Sequence, residues 1–502
     1  MFNKSKIIIT FICLNLFSFI VTAKTNNVTS NKLIQPNVLW IYVEDMNDWM
    51  GAYGDDTVAT PHIDSLAKQG VRFNTAIMPA PVCSSTRSAI ITGSMPTTLG
   101  VHNHRSSRGD GSQIYLPKGY KTIAELFNEK GYQTFNMGKE DYNFNYQHNE
   151  MFSLDPITER LKKFRANPRG VVQKGAKFKL SKLNKNKPFF GQIQLEGGKD
   201  KAKAIIKIAP NSIKEKLPPY YPKHPTFLKA WARHYEQIAI TDMRVGKIIN
   251  ELKENNLFEN TAIFFFTDHG MVLPRHKQFV YEGGLRVPFV VSWSKGNEQI
   301  RANGAVRDDI INGIDIGTTS LGIAGIDIPA YMEGDDLFAK TYQEKEFTIA
   351  ARDRLDYTFD RIRAVRTKRF KYIKNYFPQR AYMQPQYRDL HPKAFPFMTA
   401  YKKLYQEGSL TPAQAAFMAP TRPAEELYDL VNDPHEINNL AKISEYKQQL
   451  LKHRNILVDW VKSTDDKGQY VESDAGVADV IKRWGKNCVN VECRNYRIKH
   501  GG

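Results

Sequence analysis

The stretch Pro81-Val82-Cys83-Ser84-Ser85-Thr86-Arg87-Ser88-Ala89-Ile90-Ile91-Thr92-Gly93 sets one cysteine before small hydroxyl residues, then an arginine, then an apolar run closed by glycine. Small residues after Cys83 suit a tight turn into a helix, and residues 84–92 suit the first turns of a buried one. Cys83 then stands at the helix N-terminus, where free N–H groups and the macrodipole favour an anion. Arg87, one turn on, is placed to point back at the same spot. The plainer reading of the same cysteine is a structural thiol on a core helix.

Outward from this stretch, strand and helix patterns alternate. Asn37 to Val43 is a continuous apolar run ending in Glu44-Asp45, and residues 261–266 form another, ending in Thr267-Asp268-His269-Gly270. Residues 132–137, 189–195 and 287–293 predict further strands, and residues 61–68, 122–129, 228–255 and 315–324 predict helices. This order predicts an α/β fold, with a large central, mainly parallel sheet flanked by helices. Its sites belong at the strand C-terminal ends. Composition shifts near Gly334. Short strands over 348–376 and an amphipathic helix over 443–462 predict a smaller C-terminal α+β subdomain. The expected division is a signal peptide at 1–23, a linker at 24–35, a catalytic domain at 36–340, the subdomain at 341–465 and a polar tail at 466–502.

The signal peptide rests on Lys4 and Lys6, the apolar core at 7–20, and the small-residue site Val21-Thr22-Ala23. A periplasmic or secreted protein is expected, and no later stretch is apolar enough for a membrane span. Cys488 and Cys493 could close a local disulfide in an oxidising compartment, which leaves Cys83 as the odd cysteine. Net charge over the 502 residues is +19, with lysine-rich runs at 174–187 and 199–207 that by themselves read as solvated loops. A basic exported chain attracts polyanions. With an export signal an acidic polysaccharide is the expected partner, rather than nucleic acid.

Glu44-Asp45 and Asp268-His269 each end a buried strand. Adjacent carboxylates repel unless a cation neutralises them, and oxygen-rich clusters suit Ca²⁺ or Mg²⁺. Each pair alone also reads as an ordinary strand-end loop.

The opening stretch resembles the active-site signature of type I sulfatases, of the alkaline phosphatase superfamily, in which the cysteine is converted to formylglycine. Ser85 stands where that signature usually has Pro or Ala. Further motifs carry the resemblance over roughly residues 36–441: Gly138-Lys139, Lys277 before Tyr281-Glu282-Gly283, Arg363-Ala364-Val365-Arg366-Thr367, and Glu426-Leu427-Tyr428-Asp429-Leu430. With Leu273-Pro274-Arg275, the chain looks closest to the branch holding heparan N-sulfatases and bacterial polysaccharide sulfatases.

The resemblance implies one divalent cation, most often Ca²⁺, held by Glu44, Asp45, Asp268, His269 and the formylglycine oxygen at Cys83. It implies a maturation enzyme that makes the formylglycine. It also implies Arg87, Lys139 and Lys277 as cations on the sulfate, and His276 or Lys277 as donor of a proton to the leaving oxygen. Asp141 and Glu196 stand where the family usually has histidines, and with Arg275 are expected to contact the substrate. In the implied mechanism one hydroxyl of the hydrated aldehyde attacks sulfur, and the second then collapses and expels sulfate. The expected activity is hydrolysis of sulfate esters on a sulfated carbohydrate such as ulvan. A phosphoester or phosphonate hydrolase of the same superfamily is one alternative, and a sulfated-glycan-binding protein with a degraded site another.

Overall fold

The apolar runs become the inner strands of a seven-stranded sheet. In chain order these are β1 (Asn37–Val43), β2 (Val71–Ile77), β3 (Gln133–Met137), β4 (Phe189–Leu195), β5 (Thr261–Thr267), β6 (Arg286–Ser292) and β7 (Ala305–Asn312). They stand side by side as β3-β4-β1-β5-β6-β2-β7. Every neighbouring pair is parallel except those of β6, which runs antiparallel to both β5 and β2. The computed structural model describes residues 35–109, 111–154, 179–301 and 304–501. The expected signal peptide, nearly all of the 24–35 linker and the start of the 174–187 lysine run lie outside the described residues.

Alternation along β1 shows why both faces are covered. Leu39, Ile41 and Val43 enter one apolar layer, while Val38, Trp40 and Tyr42 enter the other. The helices follow from the same demand. They are α1 (Pro61–Gln69), α2 (Cys83–Thr92), α3 (Ile123–Glu129), α4 (Pro225–Glu254) and α5 (Asp315–Ile323). Helices α1 and α4 supply Ile63, Leu66, Phe227, Trp231 and Ile238 to the first layer. The second layer takes Ile90 and Ile91 of α2, Ile123 and Phe127 of α3, and Ile316 and Leu321 of α5. Helix α4 starts on His224, whose ring accepts from the Thr226 N–H, followed by Pro225 at its first position.

A second, antiparallel sheet is ordered β11-β10-β9-β8. Its strands are β8 (Phe347–Arg352), β9 (Ile362–Thr367), β10 (Phe370–Asn375) and β11 (Glu425–Asp429). Helix α6 (Lys447–Ser463) covers it through Leu450 and Leu457, and Ala89 and Met95 join the same cluster from the α2 side. The connection between β10 and β11 also grips the 271–285 loop of the first sheet. The buried Arg388 donates to the carbonyls of Val272 and Lys277, at 2.6 and 3.0 Å.

The polar tail is largely helical from residue 474. It forms α7 (Asp474–Trp484) and α8 (Val491–Lys499). Val477 and Val480 pack with Tyr357, Phe359, Cys488 and Cys493, and the two cysteines are disulfide-bonded. Among the described residues no helix is long and apolar enough to cross a membrane.

Candidate active site

Loops from five strands meet at one edge of the large sheet. Glu44 and Asp45 follow β1, Asp268 and His269 follow β5, Lys139 and Asp141 follow β3, Lys199 follows β4, and Cys83 opens α2 after β2. Four of these strands, β3, β4, β1 and β5, are adjacent and parallel, so their carboxyl ends share one edge.

Cys83 is the first residue of α2, preceded by an extended Val82, and is a buried free cysteine. Its Sγ lies 3.7 Å from His104 Nε2. The hydroxyls of α2 hold the loop that brings His104 there. The Arg105 N–H donates to Ser84 Oγ at 3.0 Å, and Ser85 Oγ donates to the His102 carbonyl at 3.0 Å. On its far side His104 Nδ1 is 3.3 Å from Asp356 Oδ1. Arg87, one turn into α2, places Nη2 3.3 Å from Asp268 Oδ2 and donates from Nη1 to Gln194 Oε1 at 2.6 Å. Its guanidinium also lies over the Tyr42 ring, 4.2 Å from the centroid.

With Arg87, five cations answer four carboxylates here. Asp45 accepts from Lys277 Nζ at 2.9 Å on each oxygen and lies 3.3 Å from Lys199 Nζ. The Asp45 N–H donates to Asp268 Oδ1 at 2.9 Å. One Glu44 oxygen takes both Lys139 and Lys199. Asp141 sits between Lys139 Nζ at 3.0 Å and Arg108 at 2.8 Å. Burial alone would push the Glu44 carboxyl up, yet Lys139 and then Lys199 outweigh it and hold Glu44 well below the usual carboxylate range. The same contest, won by Lys139 and then Arg108, keeps Asp141 ionised.

The turn after β4 explains how Lys199 arrives. Gly197 has φ +49°, and a Cβ on it would lie 2.2 Å from the Glu44 carbonyl oxygen. A Cβ on Gly198 would lie 2.0 Å from the Asp45 carbonyl oxygen. Only glycines let this turn cross so close to the β1 loop.

The donors suit a cation. The His269 Nδ1–H donates to the Gly270 carbonyl at 2.9 Å, which leaves Nε2 a lone pair. That atom is buried without a hydrogen-bond partner and faces Asp45 Oδ1 at 3.4 Å and Asp268 Oδ1 at 3.6 Å. Three acceptors turned on one another require a proton or a cation among them. Glu44, Asp45 and Asp268 also bring oxygens within 4.8 Å of one another. An oxygen-rich set with one imidazole fits a hard divalent ion.

The sulfatase family profile matches residues 36–326, and the profile of the N-sulphoglucosamine sulphohydrolase C-terminal region matches residues 268–390. This chain belongs to the sulfatase family. An ulvan-active sulfatase of Formosa agariphila is 30% identical over 480 residues, covering 90% of this chain and 79% of that protein. Among solved structures, a Bacteroides thetaiotaomicron protein assigned as a sulfatase superposes with a TM-score of 0.60 at 20% identity, over 87% of this chain and 94% of its own. A phosphonate monoester hydrolase of Agrobacterium radiobacter shares the fold at a TM-score of 0.57 and 16% identity, over 86% and 96%. The chain is a sulfuric ester hydrolase with the alkaline phosphatase-like architecture.

Within this sulfatase, Glu44, Asp45, Cys83, Arg87, Lys139, Asp141, Asp268, His269 and Lys277 come together. Three expected site residues do not. His276 is turned into an aromatic cage of Trp49, Tyr221 and Trp231, with Nδ1 3.1 Å from Asn47 Oδ1. Burial pushes its pKa down to about 3, so it is neutral near pH 7 and does not serve as a general acid there. Arg275 lies over the Tyr281 and Tyr220 rings, at 3.9 and 4.6 Å, and donates to the Glu436 carbonyl at 2.7 Å. Glu196 is exposed on the turn that delivers Lys199. The sequence reading left out Lys199, Gln194, His104 and Asp356. Lys199 was hidden in a lysine-rich run, although Gly197-Gly198-Lys199, one residue past a strand, is a usable signal. His104 and Asp356 come from loops with no strand-end position to mark them.

Proposed function

We propose that this sulfatase is exported and removes sulfate esters from an acidic polysaccharide or its oligosaccharides, ulvan first, through a formylglycine made from Cys83. The observation that carries the proposal is the position of Cys83, at a helix N-terminus facing Arg87, Lys139, Lys199 and Lys277. The name of the Formosa agariphila relative and the net charge of +19 support the substrate class.

A formylglycine at position 83 supplies, as its hydrate, an oxygen nucleophile that the enzyme regenerates in each cycle. The chain's own groups do the rest. The α2 N-terminus and Arg87 orient the sulfate anion. Lys139, Lys199 and Lys277 stabilise the negative charge that builds on its oxygens and on the leaving oxygen. Lys277 is the group placed to give that oxygen a proton, in the role His276 cannot fill. His104, fixed by Asp356, is positioned to hydrogen-bond the group at position 83. Glu44, Asp45, Asp268 and His269 would hold a divalent cation, Ca²⁺ or Mg²⁺, which supplies Lewis-acid charge at the site.

The test is release of free sulfate from ulvan, carrageenan and glycosaminoglycan oligosaccharides, with 4-nitrophenyl sulfate and matched phosphate and phosphonate esters alongside. Sulfate release from ulvan fragments is expected. Preference for a phosphonate ester would install the phosphonate hydrolase reading, and tight glycan binding without sulfate release would install the degraded-site reading. Exhaustive chelation is expected to abolish turnover, with Ca²⁺ or Mg²⁺ restoring it. Full activity after chelation would remove the metal from the proposal.

A further inference from the structure

A cleft bordered by His104, the neighbour of Cys83, is walled in large part by chain beyond the family profiles. It encloses about 950 Å³ between the 100–114 loop and residues 467–484. His104 belongs to both places: its Nε2 is 3.7 Å from Cys83 Sγ, and it also lines the cleft. Small-ligand sites span about 300–1,000 Å³, so this cleft has room for more than one sugar ring.

Its lining carries six arginines and lysines against three acids. The acids are already committed. Glu472 takes Arg354 through bonds of 2.6 and 2.8 Å, Asp356 takes His104 and Arg105, and Asp479 accepts the Ser112 hydroxyl. Two cations are left over. Lys482 and Arg483, near the end of α7, are exposed, line the cleft and make no salt bridge among the described residues, Arg483 feeling Asp356 only at longer range. On the same wall Tyr470 is 59% exposed and offers a ring face. The wall is rigid, because α7 packs through Val477 and Val480 onto Tyr357 and Phe359, beside the Cys488–Cys493 bond. With the helix beneath them fixed, only the two side chains themselves must be ordered when an anion binds.

We propose that residues 467–484 form a second anion site for the carboxylate or sulfate of the sugar unit next to the one being desulfated, with Lys482 and Arg483 as its cations and Tyr470 as its ring platform. Guanidinium and ammonium groups make charge-assisted bonds to either anion. The site rests on the polysaccharide reading above and makes it specific: the enzyme reads at least two charged units rather than one.

The experiment compares wild type with Lys482→Ala/Arg483→Ala, both exposed positions, on a sulfated ulvan tetrasaccharide and on 4-nitrophenyl sulfate, which carries no second anion. On the tetrasaccharide kcat/KM is expected to fall about tenfold or more, through KM. On the aryl sulfate it should hold within about twofold. Equal losses on both substrates, or an unchanged tetrasaccharide KM, would overturn the site while leaving the polysaccharide reading standing. If wild type releases no sulfate from any glycan, that reading fails on its own, and calorimetric binding of the same tetrasaccharide decides the site. Binding lost in the double variant supports it, and binding by neither protein overturns it.

Discussion

Ser85 shows how a single departure from a signature acquires a reason. Where the family usually has Pro or Ala, its hydroxyl donates to the His102 carbonyl and, with Ser84, ties down the loop that carries His104. Ser85→Ala leaves that buried carbonyl unsatisfied. The expected cost is about 1–2 kcal/mol in denaturant unfolding, with a fall in kcat as His104 loosens; unchanged stability would show that the bond contributes nothing. Cys83 itself is expected to be formylglycine, since an unmodified thiolate attacking sulfur would leave a stable adduct with no second hydroxyl to expel sulfate. The tryptic fragment 73–87 holds only this cysteine, so mass spectrometry of the active protein reads its state directly. An active preparation with wholly unmodified thiol would refute the modification, and Cys83→Ala should be inactive in any host. His276 makes a different kind of statement. Burial holds it and His234 at about 3, below the ordinary histidine value of about 6.5. The unfolded chain therefore takes up protons first as pH falls, and stability should decline from about pH 6.5 toward 3. His276→Gln should unfold more easily at pH 7 yet show a shallower decline; an unaltered slope would argue that other groups set it.

At the scale of elements, the Gly197-Gly198 turn after β4 does more for the site than either acid pair alone. It seats Lys199 against Glu44 and Asp45 only because no Cβ intervenes. Gly198→Ala is expected to push the turn off the Asp45 carbonyl and lower kcat/KM by about a hundredfold, with a smaller loss of stability. A variant with wild-type kinetics would show that Lys199 is dispensable. The sequence made such elements legible unevenly. Continuous apolar runs marked β1 and β5 to within a residue, because strands covered on both faces carry few polar positions to confuse the pattern, and β4 was legible despite Gln192 and Gln194. Strands β2 and β7 escaped. Arg72 and Asn74 interrupt the first, Arg307 and Asp308 the second, and β7 is an edge strand. The antiparallel run of β6 was equally invisible, since side-chain periodicity records that a strand exists but not its direction. The tail is polar in composition, and its helices are stabilised by a small cluster around Tyr357 and one short disulfide loop. Its removal by Cys488→Ser/Cys493→Ser should cost about 2 kcal/mol.

For the molecule as a whole, little of the net charge of +19 is located at the nucleophile, where five cations meet four carboxylates. Among the described residues the cleft carries part of the surplus, with six basic side chains facing three acidic ones. A field of that origin is long-ranged, and it raises the encounter rate most for a ligand with many like charges. A sulfated polymer is such a ligand, and an aryl monosulfate is not. Between about 0.01 and 0.1 M salt the Debye length contracts from about 30 to about 10 Å, which removes distant surface charges from the interaction but barely touches the buried cluster. Across that range kcat/KM on ulvan chains should therefore fall about tenfold or more, while on 4-nitrophenyl sulfate it changes by less than about twofold. The ulvan tetrasaccharide should fall between them, because it spans the cleft but little of the outer surface. Steady-state kinetics at fixed metal concentration give all three slopes. Three parallel slopes would place the whole electrostatic contribution at the nucleophile and leave the surface charge without a part in substrate capture.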